Sequence, residues 1–522
     1  MRNLPMGISE FAELRRKNCL YIDKTKHVYH LLKNNNKTFL ARPRRFGKSL
    51  LVSTLTAALQ GKKELFSNLW IANSDYVWDS YGVIRLDFSV LDSKTPEIFE
   101  QALTEVLIHT AKDQHVIIDS HFLGVKSALA AVAKSLYAKF GKVALLIDEY
   151  DYPILHALHS QETAIAIRSI LKDFSTAAKA MQTHIEFVFV TGVSAFSKSG
   201  LSSGLNNLTN LTMLDQFATI CGYTEEEIKN NFAPHIASWA QCCNISCAEI
   251  QTNLRAWYNG YRFTENAETV YSPFSVTSAL FANKMANFWF ESAAPQFLLD
   301  EIAKMQRQEE CHLILEKEFS GSMETLQTFE IEQVPLIALL FQMGYLTINT
   351  YDSITRIYTL KYPNLEVKTA LHYHIVLATT KISHNNFDSI LLHLVYTLEQ
   401  VNIEQFIDFL RTIFAKIPYW LQDKKEKFYH VILQAVFIAA NLRSQAEYSS
   451  SLGRADIVLE LPSKIYILEI KIDTDPKQGL EQIETQKYYE PFLHENKSIY
   501  GLALSFTSND STSINYLLKQ FT

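Results

Sequence analysis

A loop rich in basic residues, which ends in a serine, lies between a segment typical of a strand and a segment typical of a helix. Residues 37–40 (KTFL) predict the strand, ARPRRFGKS (41–49) forms the loop, and LLVSTLTAALQ (50–60) predicts the helix. Such a loop turns backbone N–H groups and the positive end of a helix towards an anion. Lys48 would then reach the β- and γ-phosphates of ATP, and the Ser49 hydroxyl would bind Mg²⁺.

The loop departs from the phosphate-binding pattern G-x-x-x-x-G-K-[ST] at one position. Gly47 fits the second glycine, but Arg42 stands in place of the first, so the loop cannot begin with the usual tight turn. Arg45 and Gly47 are predicted to line the nucleotide. The alternative is a basic helix N-terminus that binds no nucleotide.

Two adjacent acids follow a second apolar strand, VALLI (143–147), and favour the nucleotide-binding interpretation. Asp148 would hold Mg²⁺ through water, and Glu149 would polarise the attacking water as general base. A further strand (185–190) leads to Thr191, which is predicted to sense the γ-phosphate; a strand end without nucleotide contact is the alternative. No arginine finger can be assigned.

Two carboxylates and a lysine form a second group near the C-terminus. GRADIVLEL (453–461) and IYILEIK (465–471) predict two strands joined by a short turn. Glu469 and Lys471 are two residues apart and so share one face, and Asp456 comes beside them on the neighbouring strand. Asp456 and Glu469 would coordinate Mg²⁺ or Mn²⁺, and Lys471 would orient or activate water and stabilise developing charge on phosphate.

The alternative for this group is an exposed cross-strand ion pair. Apolar residues on both faces of the two strands favour a buried sheet instead, and buried charges need partners. Downstream, Gln482-Ile483 and Lys487-Tyr488 are predicted on a helix that faces the same site. Glu426, at the start of an upstream helix, is a further candidate carboxylate.

The elements that position these residues alternate between strand and helix. Strands at 37–40, 83–88, 143–147 and 185–190, with helices between them at 97–110 and 126–140, predict an α/β domain with a parallel sheet. We predict three domains: an N-terminal P-loop domain (1–225), a helical and winged-helix-like region (226–385), and a C-terminal α/β domain (386–522).

Composition limits the class of protein. The formal net charge is −6, so contact with nucleic acid would depend on local patches such as Arg42, Arg44 and Arg45. Cys242, Cys243 and Cys247 match no zinc spacing and are predicted as buried free thiols. The first residues lack the apolar segment of a secretory signal, and the apolar run 334–341 is too short to span a bilayer. A cytoplasmic protein is expected.

Several stretches together resemble a known family. They are YIDKT (21–25), RPRRFGKS (42–49), LIDEYD (146–151), VTGVSAFSKSGLSSGLNNL (190–208), WYNGYRF (257–263), FQMGYLT (341–347), YPNLEV (362–367) and GRADIVLE with YILEIK. In this order they resemble the bacterial AAA-ATPase-like proteins fused to a PD-(D/E)XK nuclease domain. The resemblance implies an AAA-like N-terminal domain, a winged-helix-like middle and a restriction-endonuclease-like C-terminus.

The resemblance also assigns residues. Lys48 and Ser49 match the Walker A motif, and Asp148 and Glu149 match Walker B. Asp456, Glu469 and Lys471 match the nuclease core, with Gln482 on its later helix. Domains of the AAA type often form rings, so a homo-oligomer is compatible with this assignment.

Three functions follow as hypotheses. The first is an ATPase whose nucleotide state controls Mg²⁺-dependent cleavage of DNA or RNA. The second is a nucleotide-regulated switch that binds nucleic acid through a catalytically silent nuclease fold. The third is a Mg²⁺-dependent hydrolase of small phosphoesters. We favour the first, because two complete sets of acids occur in one chain.

Overall fold

A computed structural model describes most of the chain. The described residues are 1–34, 37–118, 122, 124–158, 160–194, 207–289, 319–327, 335–417, 426–450 and 452–521. Their contacts define two compact units, Met1–Ala293 with Glu318–Glu366, and Ala294–Lys317 with Val367–Thr522. The finer division into three domains stays a prediction.

The first unit contains a parallel five-stranded sheet, as the sequence predicts. Its strands are β1 (Lys37–Ala41), β2 (Gly82–Asp87), β3 (Val143–Asp148), β4 (Ile185–Gly192) and the short β5 (Thr209–Asn210), in the order β2-β3-β4-β1-β5. All six residues of β3 are buried, which is typical of a parallel strand covered on both faces.

Seven helices accompany this sheet in the described residues. They are α1 (Phe11–Arg16), α2 (Thr25–Asn34), α3 (Lys48–Leu59), α4 (Pro96–Asp113), α5 (Val125–Phe140), α6 (Tyr152–His156) and α7 (Gln161–Ala180). The two longest, α4 and α7, begin at N-cap hydroxyls, those of Thr95 and Ser160, which accept backbone N–H groups.

The rest of the first unit contains helices and a small antiparallel sheet. Its elements are α8 (Glu225–Cys243), α9 (Cys247–Tyr258), α10 (Pro273–Ala282), β6 (Phe319–Ser322), α11 (Met323–Gln327), α12 (Leu336–Met343), β7 (Thr347–Asp352) and β8 (Ile357–Lys361). Thr224 and Glu227 form a complete capping box at the start of α8. The predicted helix followed by a hairpin is present as α12, β7 and β8, and β6 adds a strand that the sequence pattern does not predict.

One helix belongs to both units. Helix α13 (Leu365–Thr380) contains Glu366, the last residue of the first unit, and continues from Val367 as part of the second.

The second unit is an α/β domain with a mixed sheet. Its further elements are α14 (His384–Glu399), α15 (Ile403–Phe414), α16 (Glu426–Ala439), β9 (Arg443–Ser449), β10 (Arg454–Glu460), β11 (Lys464–Ile472), α17 (Pro476–Thr485), β12 (Ser498–Thr507) and β13 (Asp510–Gln520). The strand order is β13-β12-β11-β10-β9, and only β11 and β12 are parallel.

Both faces of this second sheet are buried. Ile457, Leu459 and Leu468 pack in one core with α14 to α16, whereas Ala455, Val458 and Ile467 pack in another with Ile483 of α17. The prediction that apolar side chains cover both faces of the β10–β11 hairpin is therefore confirmed.

The prediction that three cysteines are buried is wrong, and two other predicted stretches are only partly described. Cys242, Cys243 and Cys247 are exposed, because they lie at the corner between α8 and α9, where nearly all residues from 241 to 249 are exposed. Most of the stretch 190–208 and the first residue of the apolar run 334–341 lie outside the described residues. Within the described part of the chain, no helix is long and apolar enough to cross a membrane.

Candidate functional site

The loop before α3 has the backbone of an anion cradle. Arg45 and Gly47 both adopt the left-handed conformation, with φ of 66° and 95°. Gly47 is the residue that precedes the first turn of α3, which begins at Lys48. Consecutive N–H groups in such a turn point to one side and make a concave site for an anion, and the start of α3 adds its partial positive charge. Arg45 and Gly47 therefore shape the loop, and their contact with a nucleotide stays a prediction.

Lys48 is the first residue of α3, but its side chain turns back into this loop and is almost fully buried. Its Nζ donates hydrogen bonds to the carbonyl oxygens of Arg42 (3.0 Å) and Pro43 (3.1 Å). The same Nζ lies 3.1 Å from Oε1 of Glu149. The structure thus brings together the lysine and the predicted general base, which are about a hundred residues apart in sequence.

Arg42 explains how the loop begins without its first glycine. Its side chain is 1% exposed and points away from the loop, where it donates to the carbonyl oxygens of Ala41, Thr212 and Phe217. Its guanidinium also lies 4.0 Å from the centre of the Phe263 ring, and burial lowers its pKa to about 10. Arg42 therefore holds the start of the loop against the rest of the unit.

The predicted cluster of three arginines is wrong as a surface patch. Arg42 is buried, and its two terminal nitrogens donate to main-chain carbonyls. Arg44 lies over the ring of Tyr152, at 5.8 Å, and only Arg45, over Phe274 at 4.7 Å, is exposed.

Asp148 ends β3 beside the loop and is 1% exposed. Burial and the neighbouring Glu149 raise the pKa of Asp148 to about 6, against the opposing effects of the nearby Ser49 hydroxyl and Lys48. In the described residues, Oδ2 of Asp148 is buried without a hydrogen-bond partner. Ser49 and Asp148 thus lie close together, as a shared Mg²⁺ site requires.

Strand β4 lies between the loop strand β1 and the acid strand β3. Thr191, the last residue but one of β4, therefore lies between the two motifs. Its hydroxyl is fully buried and donates to the carbonyl of Leu40 (2.8 Å), so its visible contact is with the loop strand. Its role towards a nucleotide stays a prediction.

Asp151 is a buried residue near this site to which the residue types alone assign no role. Its carboxylate accepts hydrogen bonds from the N–H groups of Val193 and Ser194 and from the Ser194 hydroxyl. Burial raises its pKa, and Glu149 raises it further, against those hydrogen bonds. Asp151 fixes the turn after β4 next to the acids after β3.

The stretches WYNGYRF and FQMGYLT contribute to the support of the loop. Phe46 packs edge-on against Tyr261, with ring centres 4.6 Å apart. The indole N–H of Trp289 donates to the carbonyl of Arg44 (3.0 Å), and Trp289 packs against Tyr345. These motifs therefore form part of the packing around the nucleotide loop.

The C-terminal acids and lysine also come together. Lys471 Nζ donates to Oε2 of Glu469 (3.1 Å) and lies 3.6 Å from Oε1 of Glu426. The carboxylate of Asp456 accepts the N–H of Ile470 (2.7 Å), which places it against the strand that carries the other two residues. Glu426, the first residue of α16, contributes the further carboxylate that the sequence predicts.

Glu469 is the most strongly perturbed group of this site. It is fully buried, and burial and the nearby Asp456 raise its pKa to about 8, against the effect of Lys471. Burial lowers the pKa of Lys471, but Glu469, Glu426 and Asp456 raise it more, so the net pKa lies above the ordinary value. Within the part of the chain described, Oε1 of Glu469 is buried without a hydrogen-bond partner.

Helix α17 covers this site closely. A Cβ on Gly479 would lie 3.2 Å from the Cβ of Glu469 and 3.1 Å from that of Ala503. Gln482, on the same helix, donates to the hydroxyl of Tyr488 (3.4 Å). The prediction that Lys487 and Tyr488 belong to this helix is wrong: α17 ends at Thr485, and Lys487 adopts a φ of 51°, which stops the helix.

His430 also borders the C-terminal acid site, and no sequence pattern predicts it there. Its Nε2 lies 2.8 Å from the carbonyl oxygen of Asp456. It is 26 residues upstream in a helix whose pattern is mainly apolar. No spacing rule would connect the two.

Both acid sites fit a divalent cation. Among the residues that the structure describes, each site has a buried carboxylate oxygen without a hydrogen-bond partner, and the available ligand atoms are hard oxygens. The described residues contain no group of three or more His, Cys, Asp or Glu side chains that could together hold a metal ion. A set of two carboxylates, or one carboxylate and a hydroxyl, suits Mg²⁺, which keeps several waters and binds substrate phosphates.

Two family models match parts of the chain. Residues 5–202 match the family described as a predicted AAA-ATPase, and residues 424–516 match the PD-(D/E)XK nuclease superfamily. A solved structure of the Aeropyrum pernix ORC1 protein in complex with DNA shows a weak likeness, with a TM-score of 0.28 and 13% identity, over 67% of this chain and 91% of that one.

A full-length relative is also known. An uncharacterized protein in the vnfD 5' region of Azotobacter chroococcum mcd 1 is 30% identical over 546 aligned residues, which cover 99% of each protein. The chain therefore belongs to the family of this Azotobacter protein, and it joins a predicted AAA-ATPase domain to a domain of the PD-(D/E)XK nuclease superfamily.

Proposed function

We propose that the chain is an ATPase whose nucleotide state controls Mg²⁺-dependent cleavage of nucleic acid, with DNA as the favoured substrate. Lys48 and the loop N–H groups bind the triphosphate, and Ser49 and Asp148 hold Mg²⁺. The incoming γ-phosphate competes with Glu149 for Lys48, because both are anions within reach of one ammonium group. Glu149 is then free to accept a proton from the attacking water.

The C-terminal site performs the cleavage. Asp456 and Glu469 hold the cation, which supplies Lewis-acid stabilisation of the phosphodiester when bound. Lys471 lies against Glu469, where its positive charge stabilises charge that develops on the phosphate. Its net raised pKa keeps Lys471 protonated at neutral pH, so it acts as a cation rather than as a base.

The observation that carries the proposal is Oε1 of Glu469, which has no hydrogen-bond partner among the described residues. A buried carboxylate oxygen without a hydrogen bond is costly, and a bound cation removes that cost. In an exposed cross-strand ion pair, water would solvate this oxygen. Its burial beside Asp456 and Lys471 favours a metal site over that alternative.

Control by nucleotide is supported by a chain of contacts within the first unit. Trp289 donates its indole N–H to Arg44 in the loop and its backbone N–H to Oε1 of Glu366 (2.7 Å). Oε2 of Glu366 accepts the hydroxyl of Ser275 (2.7 Å). Glu366 lies in the first turn of α13, which continues into the second unit, so a shift of the loop reaches that helix through two hydrogen bonds.

The test compares wild type with Lys48→Ala and Asp456→Ala on labelled linear, circular and single-stranded DNA. Each protein is incubated with Mg²⁺ or Mn²⁺, with and without ATP. We expect cleavage by wild type, none by Asp456→Ala, and a response to ATP only when Lys48 is intact. RNA of the same sequence tests the choice of substrate.

Two other outcomes would change the assignment. Cleavage by Asp456→Ala equal to that of wild type would show that the activity comes from a contaminant. No cleavage by a wild type that still binds ATP and DNA would favour a nucleotide-regulated binding protein with a silent nuclease fold.

A further inference from the structure

Asp456 interrupts the pairing of its strand. On one side of β10, residues 457–460 pair with β11, and on the other side 454, 455 and 457–460 pair with β9. Asp456 is thus the one position of β10 that has no partner in the register of either described neighbour. Opposite it on β9, Glu447 adopts a φ of 51°, which is incompatible with a regular strand.

At this interruption the backbone carbonyl of Asp456 meets a side chain from outside the sheet. A part-buried carbonyl without a partner is unfavourable, and His430 supplies the partner at 2.8 Å. A carbonyl oxygen only accepts hydrogen bonds, so Nε2 of His430 carries the proton and donates it. The carboxylate of the same residue accepts the N–H of Ile470. Asp456 is therefore held at both ends, by α16 and by β11.

Helix α16 is well placed to hold a residue in position. Tyr429 and Leu433, on either side of His430, are buried in the core beneath the sheet. One turn earlier on the same helix, Glu426 lies 3.6 Å from Lys471. Residues four apart lie on one face of a helix, so Glu426 and His430 together border the acid site.

We propose that His430 is a positioning residue of the phosphodiesterase site, which holds the backbone of Asp456 so that its carboxylate lies ready to bind the cation. The proposal rests on the proposed function of that site. It assigns to α16 the part that second-layer hydrogen bonds play around metal ligands, where their loss typically weakens metal binding by ten- to a hundredfold.

The experiment uses the full chain and measures two properties. Free Mn²⁺ is titrated by electron paramagnetic resonance without nucleotide, and Mn²⁺ bound by Asp456→Ala is subtracted as binding elsewhere. Hydrogen exchange followed by mass spectrometry reports the amide of Ile470, which donates to the Asp456 carboxylate. The variants are His430→Ala and His430→Gln, whose carboxamide retains an N–H donor.

The matched control is Gln434→Ala. Gln434 lies one turn further along α16 and donates to the Ser444 hydroxyl on β9 (3.2 Å), so its loss removes a contact between the same helix and sheet without affecting Asp456. Should His430→Ala fail to fold, His430→Phe keeps a ring of similar shape without the donor.

We expect His430→Ala to weaken Mn²⁺ binding on the order of tenfold and to accelerate exchange at Ile470. His430→Gln should retain most of both properties, and Gln434→Ala should change neither. Wild-type Mn²⁺ affinity and Ile470 exchange in His430→Ala would overturn the proposal, as would equal losses in Gln434→Ala. If wild type binds no more Mn²⁺ than Asp456→Ala, the phosphodiesterase assignment fails, and the exchange at Ile470 alone decides the role of His430.

Discussion

At the scale of single residues, Glu469 combines a cost in stability with a gain in function. Its pKa of about 8 lies well above the ordinary value of 4.5, because the side chain is buried and Asp456 is close. Between these two pH values the folded protein holds a proton that the unfolded chain releases. The free energy of unfolding therefore falls as the pH rises from about 4.5 to about 8.

We predict that Glu469→Gln is more stable than wild type in the absence of divalent cations. At neutral pH the difference should be about 3 kcal/mol, because neutral pH lies roughly two and a half pH units above 4.5, where wild type begins to lose stability. Denaturation in EDTA, followed between pH 5 and 9, measures it. The variant should lack the decline of stability with pH.

Addition of Mg²⁺ or Mn²⁺ provides the control. The cation should stabilise wild type, since it binds the folded state only, and should stabilise Glu469→Gln less, because only the site at Ser49 and Asp148 is intact in that variant. A variant that gains as much from the cation as wild type does would show that Glu469 is not a ligand.

At the scale of elements, the approach of α17 to β11 determines how tightly the acid site is covered. Gly479 allows this approach because a Cβ there would press on Glu469 and Ala503, both of which belong to strands.

We predict that Gly479→Val destabilises the second unit by about 1–3 kcal/mol, as is usual when methyl groups are forced into a packed site. The cleavage rate should fall even at temperatures where the variant is fully folded, because α17 moves away from Glu469. Thermal unfolding and cleavage rates measure the two effects.

Gln478→Val is the matched control for this prediction. Gln478 precedes Gly479 on the same helix and is exposed, so the change adds the same β-branched side chain without the clash. Equal effects of the two changes would attribute the loss to helix propensity rather than to packing on Glu469.

At the scale of the whole molecule, the predicted control of cleavage by nucleotide depends on Trp289. Its two N–H groups connect the nucleotide loop to Glu366 at the start of α13. Trp289→Phe keeps an aromatic ring beside Tyr345 but removes the indole donor.

We predict that Trp289→Phe binds ATP and retains basal cleavage but loses most of the response of cleavage to ATP. ATP binding and cleavage are measured on the same preparation. Trp257→Phe serves as the control, since Trp257 is half-buried against the helical core of the first unit. If Trp289→Phe responds to ATP as wild type does, this connection does not carry the control.

Much of the architecture follows from local pattern. Continuous apolar runs such as VALLI predict parallel strands, and the separation of Glu469 and Lys471 by two residues places them on one face. These inferences hold because strand and helix periods are properties of neighbouring residues. The parallel N-terminal sheet, the β10–β11 hairpin and the helix α12 with its hairpin were all predictable.

The remaining features depend on contacts between distant segments. His430 meets Asp456 only because the sheet is interrupted at that residue, and Trp289 meets Arg44 across 245 residues. A sequence motif also does not show where a side chain points when that residue departs from the motif, as Arg42 does. The sequence predicts a basic surface patch that includes Arg42, because sequence alone does not reveal the three carbonyls to which it donates.

Arg42 has a consequence for how such proteins are recognised and redesigned. A search that requires glycine at the start of the loop passes over chains in which a buried arginine anchors that point to main-chain carbonyls. For the same reason, an engineer who replaces Arg42 with the consensus glycine does not repair a degenerate motif. The substitution leaves three main-chain oxygens without their donor and releases the segment that the consensus was meant to shape.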